Sequence, residues 1–332
     1  MAGGVPDAFW IVSAAALGAT IGSFLNVCIY RMPRRCMTVA HPRHSRCPHC
    51  GHGIRWYENI PVLSWLALRG RCSGCRAPIS AMYPLVEAIT AAAFAVCARI
   101  AVETPATWLD GVLGPWSGSE PAGWIRLAWF GIAAAFVSAM IVSTVVDFEF
   151  QIIPDQITLS GAALAPLLSL AFPWLHRPVL RLHPHTAVPS VLPAGWEPVE
   201  GLLASLVGAA VGAAGIWIVG VLGKAVFRKD AMGLGDVKLM AFVGGLLGWK
   251  AALFVFLIAC CVGSVAGVSQ LVGARLLALV RRDGSKPDHY LAFGPYLALG
   301  ALAMFFTYAR IETFVFVEYP RLLERLAVSL HG

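Results

Sequence analysis

The chain has 332 residues, of which 58% are hydrophobic and 13% are charged, and its mean hydropathy is +0.73. Soluble domains average about 25% charged and about 45–50% apolar residues, so this composition excludes a water-soluble protein, a disordered chain, a collagen-like chain and a small disulfide scaffold. It predicts an all-α polytopic membrane protein with membrane lipid as a partner. The net charge of +7 is attributed to basic loops that set topology, and no nucleic-acid partner is expected.

Eight apolar segments are interpreted as transmembrane helices. The sixth is shorter than the about 20 residues of a full span, so we expect it to be tilted, broken or re-entrant. Glycines recur in the fifth and seventh segments, and they predict closely packed helix faces because small residues let membrane helices approach each other. The segments run at 8–29, 83–101, 124–146, 156–173, 200–223, 237–248, 251–274 and 290–308. The glycines are Gly201, Gly208, Gly212, Gly215, Gly220, Gly263, Gly267 and Gly273.

The distribution of lysine and arginine orients these segments. Residues 31–76 contain nine arginines and one acid, the loops at 224–238 and 275–288 are also basic, and residues 102–123 contain acids but no lysine or arginine. The positive-inside rule places the three basic loops in the cytoplasm. An outside N-terminus with eight spans agrees, and it places the proline- and histidine-containing loop near 174–199 outside.

Four cysteines in the first basic loop form two Cys-x-x-Cys pairs with 21 residues between them, namely Cys47, Cys50, Cys72 and Cys75. Two such knuckles can place four thiolates at tetrahedral corners around zinc. The alternatives are disulfides, which a cytoplasmic location disfavours, and four free thiols. Gly51 and Gly74 are expected to form the tight turns. The zinc should be structural, because a segment of about 45 residues cannot build a sufficient apolar core.

The histidines near these cysteines, His44, His49 and His52, are expected to be surface residues and not metal ligands.

Two aspartates lie at predicted membrane boundaries, where an ionisable group is costly and therefore a functional candidate. Asp147 closes the third segment and Asp236 opens the sixth. Helix N-capping explains Asp155 and is an alternative for Asp236, and Glu149 could simply be solvated. Asp147 is harder to explain structurally, because a carboxylate at a helix C-terminus opposes the helix dipole.

Two carboxylates in one low-dielectric site share a proton near neutral pH. Such a pair supplies a base that activates water and an acid that protonates a leaving amine, so it can hydrolyse a peptide bond. Gly233 and Gly235 would leave room for a substrate backbone beside Asp236.

The chain resembles the type IV prepilin peptidases, which are bifunctional leader peptidases and N-methyltransferases. The similarity rests on five features in the family's order and covers most of the chain. They are the segment GSFLNVCIYRMP from Gly22 to Pro33, the paired Cys-x-x-Cys knuckles with NIPVLSW at 59–65 between them, the motif from Asp147 to Asp155, the Gly-x-Gly-Asp at 233–236, and Phe293-Gly294-Pro295.

This resemblance implies a membrane-embedded aspartic endopeptidase of the bacterial inner membrane, with its active site on the cytoplasmic side. It implies cleavage of type IV prepilins or type II secretion pseudopilins after the glycine that ends a basic leader. It also implies methylation of the new N-terminal residue with S-adenosylmethionine as the methyl donor. The catalytic pair carried over by position is Asp147 and Asp236, and no residue is assigned to the methyl donor.

The sequence thus divides into a first helix with the N-terminal signature at 1–30, a cytoplasmic zinc segment at 31–81 and a transmembrane peptidase bundle at 82–332. Two alternatives use the same features differently. A proton-coupled transporter would use the carboxylates as a relay, but no internal repeat supports it. A zinc-ribbon binding module on a membrane anchor would not need eight spans with buried acids.

Overall fold

The computed structural model describes residues 6–34, 45–103, 123–176, 196–228, 232–281 and 292–322, and within these ranges the regular structure is helical. The long helices are α1 (Asp7–Arg31), α3 (Met82–Glu103), α4 (Gly123–Phe150), α5 (Asp155–Ala171), α6 (Glu197–Phe227), α7 (Leu234–Leu247), α8 (Trp249–Arg281) and α9 (Gly294–Thr313). The short helices are a 3₁₀ turn at Trp56–Asn59, α2 at Leu63–Ala67, a 3₁₀ turn at Pro173–Leu175 and a π-helical turn at Phe314–Glu318. The all-α prediction is confirmed.

Each of the eight apolar segments predicted from the sequence overlaps one of the long helices. Five of these helices, α1, α3, α4, α6 and α8, are long and apolar enough to cross a membrane. Helix α7 has 14 residues, which confirms that the sixth segment is short for a span. The loop at 174–199 lies mostly at 177–195, outside the described residues.

Many large apolar side chains of these helices are exposed on the protein surface. On α6 they include Leu203, Leu206, Val207, Trp217 and Ile218. Monomeric soluble proteins rarely expose large contiguous apolar patches. These faces are the ones that a lipid bilayer would cover.

The helices form two compact units. In the first unit, α1 packs along α3, and α4 packs against both of them. The four-cysteine segment, which includes the 3₁₀ turn Trp56–Asn59 and α2, connects α1 to α3. Gly18 and Gly22 make the close approach of α1 to α3 feasible, because a Cβ atom at Gly22 would lie 2.7 Å from the Cα of Glu87.

In the second unit, α7 packs against α6, α5, α8 and α9. The contact between α6 and α7 is one of backbone against backbone: a Cβ atom added at Gly208 or Gly244 would collide with the other helix. Gly201 and Gly212 are equally enclosed, which confirms the predicted packing role for these glycines of the fifth segment. The prediction is wrong for Gly215 and Gly273, because a Cβ atom there would meet nothing within 4 Å.

Candidate functional site

The four cysteines lie on two knuckles that repeat the same backbone geometry. In the first knuckle, the N–H of Cys47 donates to the carbonyl of His52 and the N–H of Gly51 donates to the carbonyl of Cys47, both at 2.9 Å. The second knuckle has the same two bonds 25 residues later, from Cys72 to Ala77 (2.9 Å) and from Arg76 to Cys72 (3.0 Å). A short β-bridge closes each knuckle, Arg46 with Gly53 and Arg71 with Pro78.

The sequence prediction for the turns is half right. Gly51 adopts a positive φ of 71°, as a tight turn requires, but at the equivalent position of the second knuckle it is Arg76 that does so, with a φ of 62°. At Gly74, the requirement for glycine is steric: a Cβ atom there would lie 3.2 Å from the His52 side chain. Close packing of the two knuckles therefore explains Gly74.

The geometry of the cluster fits a tetrahedral metal site. The Sγ atoms of the four cysteines all lie within 4.8 Å of one another, and the Sγ atoms of Cys47 and Cys75 are 3.8 Å apart. Tetrahedral zinc with Zn–S bonds of about 2.3 Å places its sulfurs about 3.8 Å apart. Four thiol donors also leave no open position for a reacting ligand, so the site suits a structural metal.

The four thiols are close enough to perturb one another's pKa values. Backbone N–H groups of Cys50 and His49 lower the pKa of the Cys47 thiol to about 7. For the Cys50 thiol, the backbone N–H of His52 lowers the pKa, but the Cys75 thiol, desolvation and the Cys47 and Cys72 thiols outweigh it and raise the pKa to about 11. Four thiolates this close repel one another, and a divalent cation is the natural counter-charge.

The neighbouring histidines lie outside the sulfur cluster, as predicted for the described ones. His49 is exposed, and the Nε2 atom of His52 lies 3.4 Å from the carboxylate of Glu58. That carboxylate also accepts the backbone N–H of Arg55 at 2.9 Å. His44 lies outside the described residues.

Asp147 lies in the last turn of α4, and its side chain is 6% exposed. No basic residue lies in this turn, so the helix dipole opposes the ionised form of the carboxylate. The helix ends just beyond it, where Gln151 has a φ of 55° and its N–H donates to the Asp147 carbonyl at 3.0 Å. A buried acid at the end of an apolar helix is confirmed.

Asp236 is the third residue of α7, and its side chain is 8% exposed. Its Oδ2 atom accepts the N–H of Gly233 at 3.3 Å, so the carboxylate helps to cap the helix in the way that an acid at this position commonly does. A Cβ atom added at Gly233 would be in ordinary van der Waals contact with the Oδ2 atom of Asp236, at 3.7 Å, and with the N atom of Gly235, at 3.8 Å. Capping of α7 through Oδ2 does not exclude a chemical role for the carboxylate of Asp236.

The other acids of the first motif have different surroundings. Glu149 and Asp155 are exposed. Asp155 is the first residue of α5, and its Oδ1 atom pairs with the Nζ of Lys238 at 2.7 Å. The first turn of a helix favours an acid, so both observations give Asp155 a structural role and agree with the sequence interpretation.

The N-terminal signature contacts the beginning of α3. The side chain of Asn26 is buried, and its Nδ2 atom donates to the carbonyl of Tyr83 at 3.0 Å. Arg31 is also buried.

Sequence reasoning missed Glu87, which is 8% exposed. Its Oε2 atom accepts the N–H of Val62 at 2.7 Å, and the carboxylate also hydrogen-bonds to Ser23. An acid within the apolar segment 83–101 was the available signal, since intramembrane ionisable residues are functional candidates.

Comparison with known proteins adds an independent line of evidence. The family model described as Bacterial Peptidase A24 N-terminal domain matches residues 16–100, and the one described as Type IV leader peptidase family matches residues 134–268. No solved structure matches the chain.

Several relatives carry the name prepilin leader peptidase/N-methyltransferase. The protein of Stutzerimonas stutzeri is 33% identical over 315 residues, with 89% of each chain covered. That of Aeromonas hydrophila is 34% identical over 304 residues, with 84% of each chain covered. That of Myxococcus xanthus (strain DK1622) is 35% identical over 259 residues, which cover 77% of this chain and 62% of the relative. The two family matches and the similarity over most of the chain show that the protein belongs to the peptidase A24 family of prepilin leader peptidases and N-methyltransferases.

Proposed function

We propose that this enzyme removes the basic leader of type IV prepilins or type II secretion pseudopilins after a glycine and then methylates the new N-terminus. The observation that carries the proposal is the pair of buried acids, Asp147 and Asp236, within the region that matches the leader peptidase family. We place the enzyme in the bacterial inner membrane with all eight long helices in the bilayer. Its reactions take place on the cytoplasmic side, where the basic loops lie.

We propose that Asp147 and Asp236 are the catalytic residues for cleavage. One carboxylate, in its ionised form, accepts a proton from water, and the water oxygen attacks the carbonyl carbon of the glycine. The other, in its protonated form, gives its proton to the leaving nitrogen as the C–N bond breaks.

The second reaction is methyl transfer to the amine that cleavage releases. The neutral amine attacks the methyl carbon of S-adenosylmethionine, the C–S bond breaks with its electron pair remaining on sulfur, and the new ammonium loses one proton. An α-amino group has a pKa of about 7.7–8.0, so an appreciable fraction is neutral at cytoplasmic pH. The released amine thus needs only positioning and a proton acceptor.

We assign zinc to Cys47, Cys50, Cys72 and Cys75, on the basis of their four sulfurs and the 3.8 Å separation of Cys47 and Cys75. When bound, zinc would supply a rigid crosslink between the two knuckles and no chemistry of its own. Holding the knuckles together fixes the segment that joins α1 to α3.

One experiment tests the proposed function as a whole. The purified full-length protein is incubated with a prepilin and S-adenosylmethionine, and the N-terminus of the product is determined by mass spectrometry. The expected product begins directly after the leader glycine and is heavier by one methyl group. An intact prepilin, together with measurable proton-coupled uptake in vesicles, would support the transporter alternative.

A further inference from the structure

The first compact unit contains a cavity of about 620 Å³. It lies between the C-terminal part of α1, the two cysteine knuckles and the start of α3. Pockets for small molecules and cofactors have volumes of about 300–1,000 Å³, so this cavity has the size for one cofactor. It is lined by residues of the N-terminal signature, of NIPVLSW and of both knuckles, which are sequence features that peptide cleavage by the aspartates does not use.

The lining of the cavity combines aromatic, cationic and acidic side chains. Aromatic rings are contributed by Tyr30, Trp65 and Tyr83. Trp65 is held in place, because its Nε1 atom donates to the carbonyl of Ile79 at 3.1 Å. Aromatic side chains of this kind stack on the flat face of a purine.

Charges of both signs accompany these rings. Arg31 and Arg46 are the cationic residues of the lining, and Glu58 and Glu87 are the acidic ones. Arg31 and Glu87 are both buried. A zwitterion that carries a carboxylate and additional positive charge matches this lining, since guanidinium groups pair with carboxylates and carboxylates attract cations.

The backbone beside the cavity is held in a costly conformation by one of these acids. Val62 has a φ of 61° and a ψ of −49°, a region that a β-branched residue rarely enters. Its N–H donates to the buried Glu87 carboxylate at 2.7 Å. Such strain persists only where the surroundings hold it in place, and it is common at ligand sites.

We propose that this cavity binds the methyl donor, a nucleoside sulfonium, with its purine among the aromatic rings and its positive charge beside Glu87. The inference rests on the proposed function, because it locates the donor for the second of the two reactions. Glu87 is a positioning residue: its negative charge favours the sulfonium, and it takes no proton in the transfer. Asp147, which belongs to the same unit, does not line the cavity, and we expect donor binding to be separable from cleavage.

Two substitutions test the cavity without removing its framework. Ala77→Leu adds apolar volume at a residue that lines it, whereas the matched control Ala67→Leu adds the same volume at an exposed residue that does not. Glu87→Gln removes the negative charge and retains an oxygen that can accept the Val62 N–H. We expect Ala77→Leu and Glu87→Gln each to raise the KM for S-adenosylmethionine by about tenfold or more and to leave prepilin cleavage and zinc content unchanged.

A binding readout independent of catalysis accompanies the kinetics. The purified full-length enzyme is irradiated with ultraviolet light in the presence of S-adenosyl[methyl-³H]methionine, with S-adenosylhomocysteine as competitor, and the labelled peptides are mapped. The label is expected on peptides from 23–31, 45–65 or 77–87, and Ala77→Leu should reduce it where Ala67→Leu does not. If the wild-type enzyme methylates pilin but the label lies elsewhere and both variants keep the wild-type KM, the cavity assignment is wrong. A wild-type enzyme that neither binds the donor nor methylates would instead overturn the proposed methyltransferase function.

Discussion

The carboxylate of Glu87 accepts a 2.7 Å hydrogen bond from the backbone N–H of Val62, a residue 25 positions earlier in the chain. At Val62 the chain makes a γ-turn with positive φ, in which the N–H of Leu63 donates to the carbonyl of Pro61 at 2.6 Å. This turn is the strained one of the two γ-turn forms. A buried side chain of α3 thus holds a strained turn in the segment between the cysteine knuckles.

This relationship predicts different effects for two substitutions at the same position. Glu87→Leu leaves the part-buried Val62 N–H without its acceptor, and an unsatisfied donor costs up to about 1–3 kcal/mol when it is fully buried. Glu87→Gln keeps an acceptor and should be much less destabilising. Thermal unfolding of the two purified proteins in the same detergent measures the difference, and equal melting temperatures would show that the hydrogen bond does not hold the turn.

Cleavage should depend on the two buried acids and not on their exposed neighbours. Asp147→Asn and Asp236→Asn should each reduce the rate of prepilin cleavage by at least about 10²–10⁴-fold, the usual contribution of one general acid or base. Glu149→Gln and Asp155→Asn are the matched controls, because both residues are exposed, and they should cleave at near wild-type rates. Rates are measured from the loss of full-length prepilin. Substantial cleavage by the Asp147→Asn enzyme would contradict the assignment.

The purified enzyme should contain one zinc ion per chain, bound by the four clustered cysteines. Cys72→Ser should remove it, while Cys261→Ser, which changes an exposed cysteine outside the cluster, should retain it. Acidification should release the metal, because protons compete with zinc for the thiolates. Metal analysis by mass spectrometry after gel filtration checks each case, and reduced wild-type protein without zinc would refute the assignment.

Local features of the sequence were sufficient for much of this structure. Apolar segments of helical length identified every long helix, because burial of backbone polar groups in lipid leaves few alternatives to a helix. The spacing of Cys47, Cys50, Cys72 and Cys75 predicted their cluster, since short knuckles repeat the same local hydrogen bonds. The burial of Asp147 followed from its position at the end of an apolar helix.

Features that depend on contacts between distant segments were not predicted. The sequence does not show that the Glu87 carboxylate accepts the Val62 N–H, or that α1, the knuckles and α3 line a common cavity. The positive φ of Arg76 was missed because glycine is the usual residue in that conformation, whereas here an arginine adopts it in the turn that the Arg71–Pro78 bridge closes. Likewise, Gly208 and Gly215 have similar positions in the sequence pattern, and only the packing of α6 distinguishes them.

Alanine substitution should destabilise the protein at one glycine of the second unit and not at another. Gly244→Ala places a Cβ atom against the backbone of Gly208, so it should force α6 and α7 apart and destabilise the protein. Gly215→Ala meets nothing within 4 Å and should be neutral or stabilising by up to about 1 kcal/mol, since alanine favours a helix over glycine. Thermal unfolding compares them. Gly244→Ala should also slow cleavage, because α7 carries Asp236, and equal stability of both variants would contradict the packing argument.

Cleavage and methyl transfer should be separable at Asp236. Methyl transfer needs a neutral amine, a bound donor and an acceptor for one proton, and none of these requires a second carboxylate at α7. Asp236→Asn retains an oxygen that can accept the N–H of Gly233, a bond that measures 3.3 Å in the structure, so the start of α7 should remain intact. The variant should therefore leave a full-length prepilin uncut but still methylate a pilin from which the leader has already been removed. Incorporation of radiolabelled methyl groups into pre-cleaved pilin measures this, with zinc content as the check on folding. Loss of incorporation in a folded, zinc-bound Asp236→Asn protein would mean that this aspartate serves both reactions.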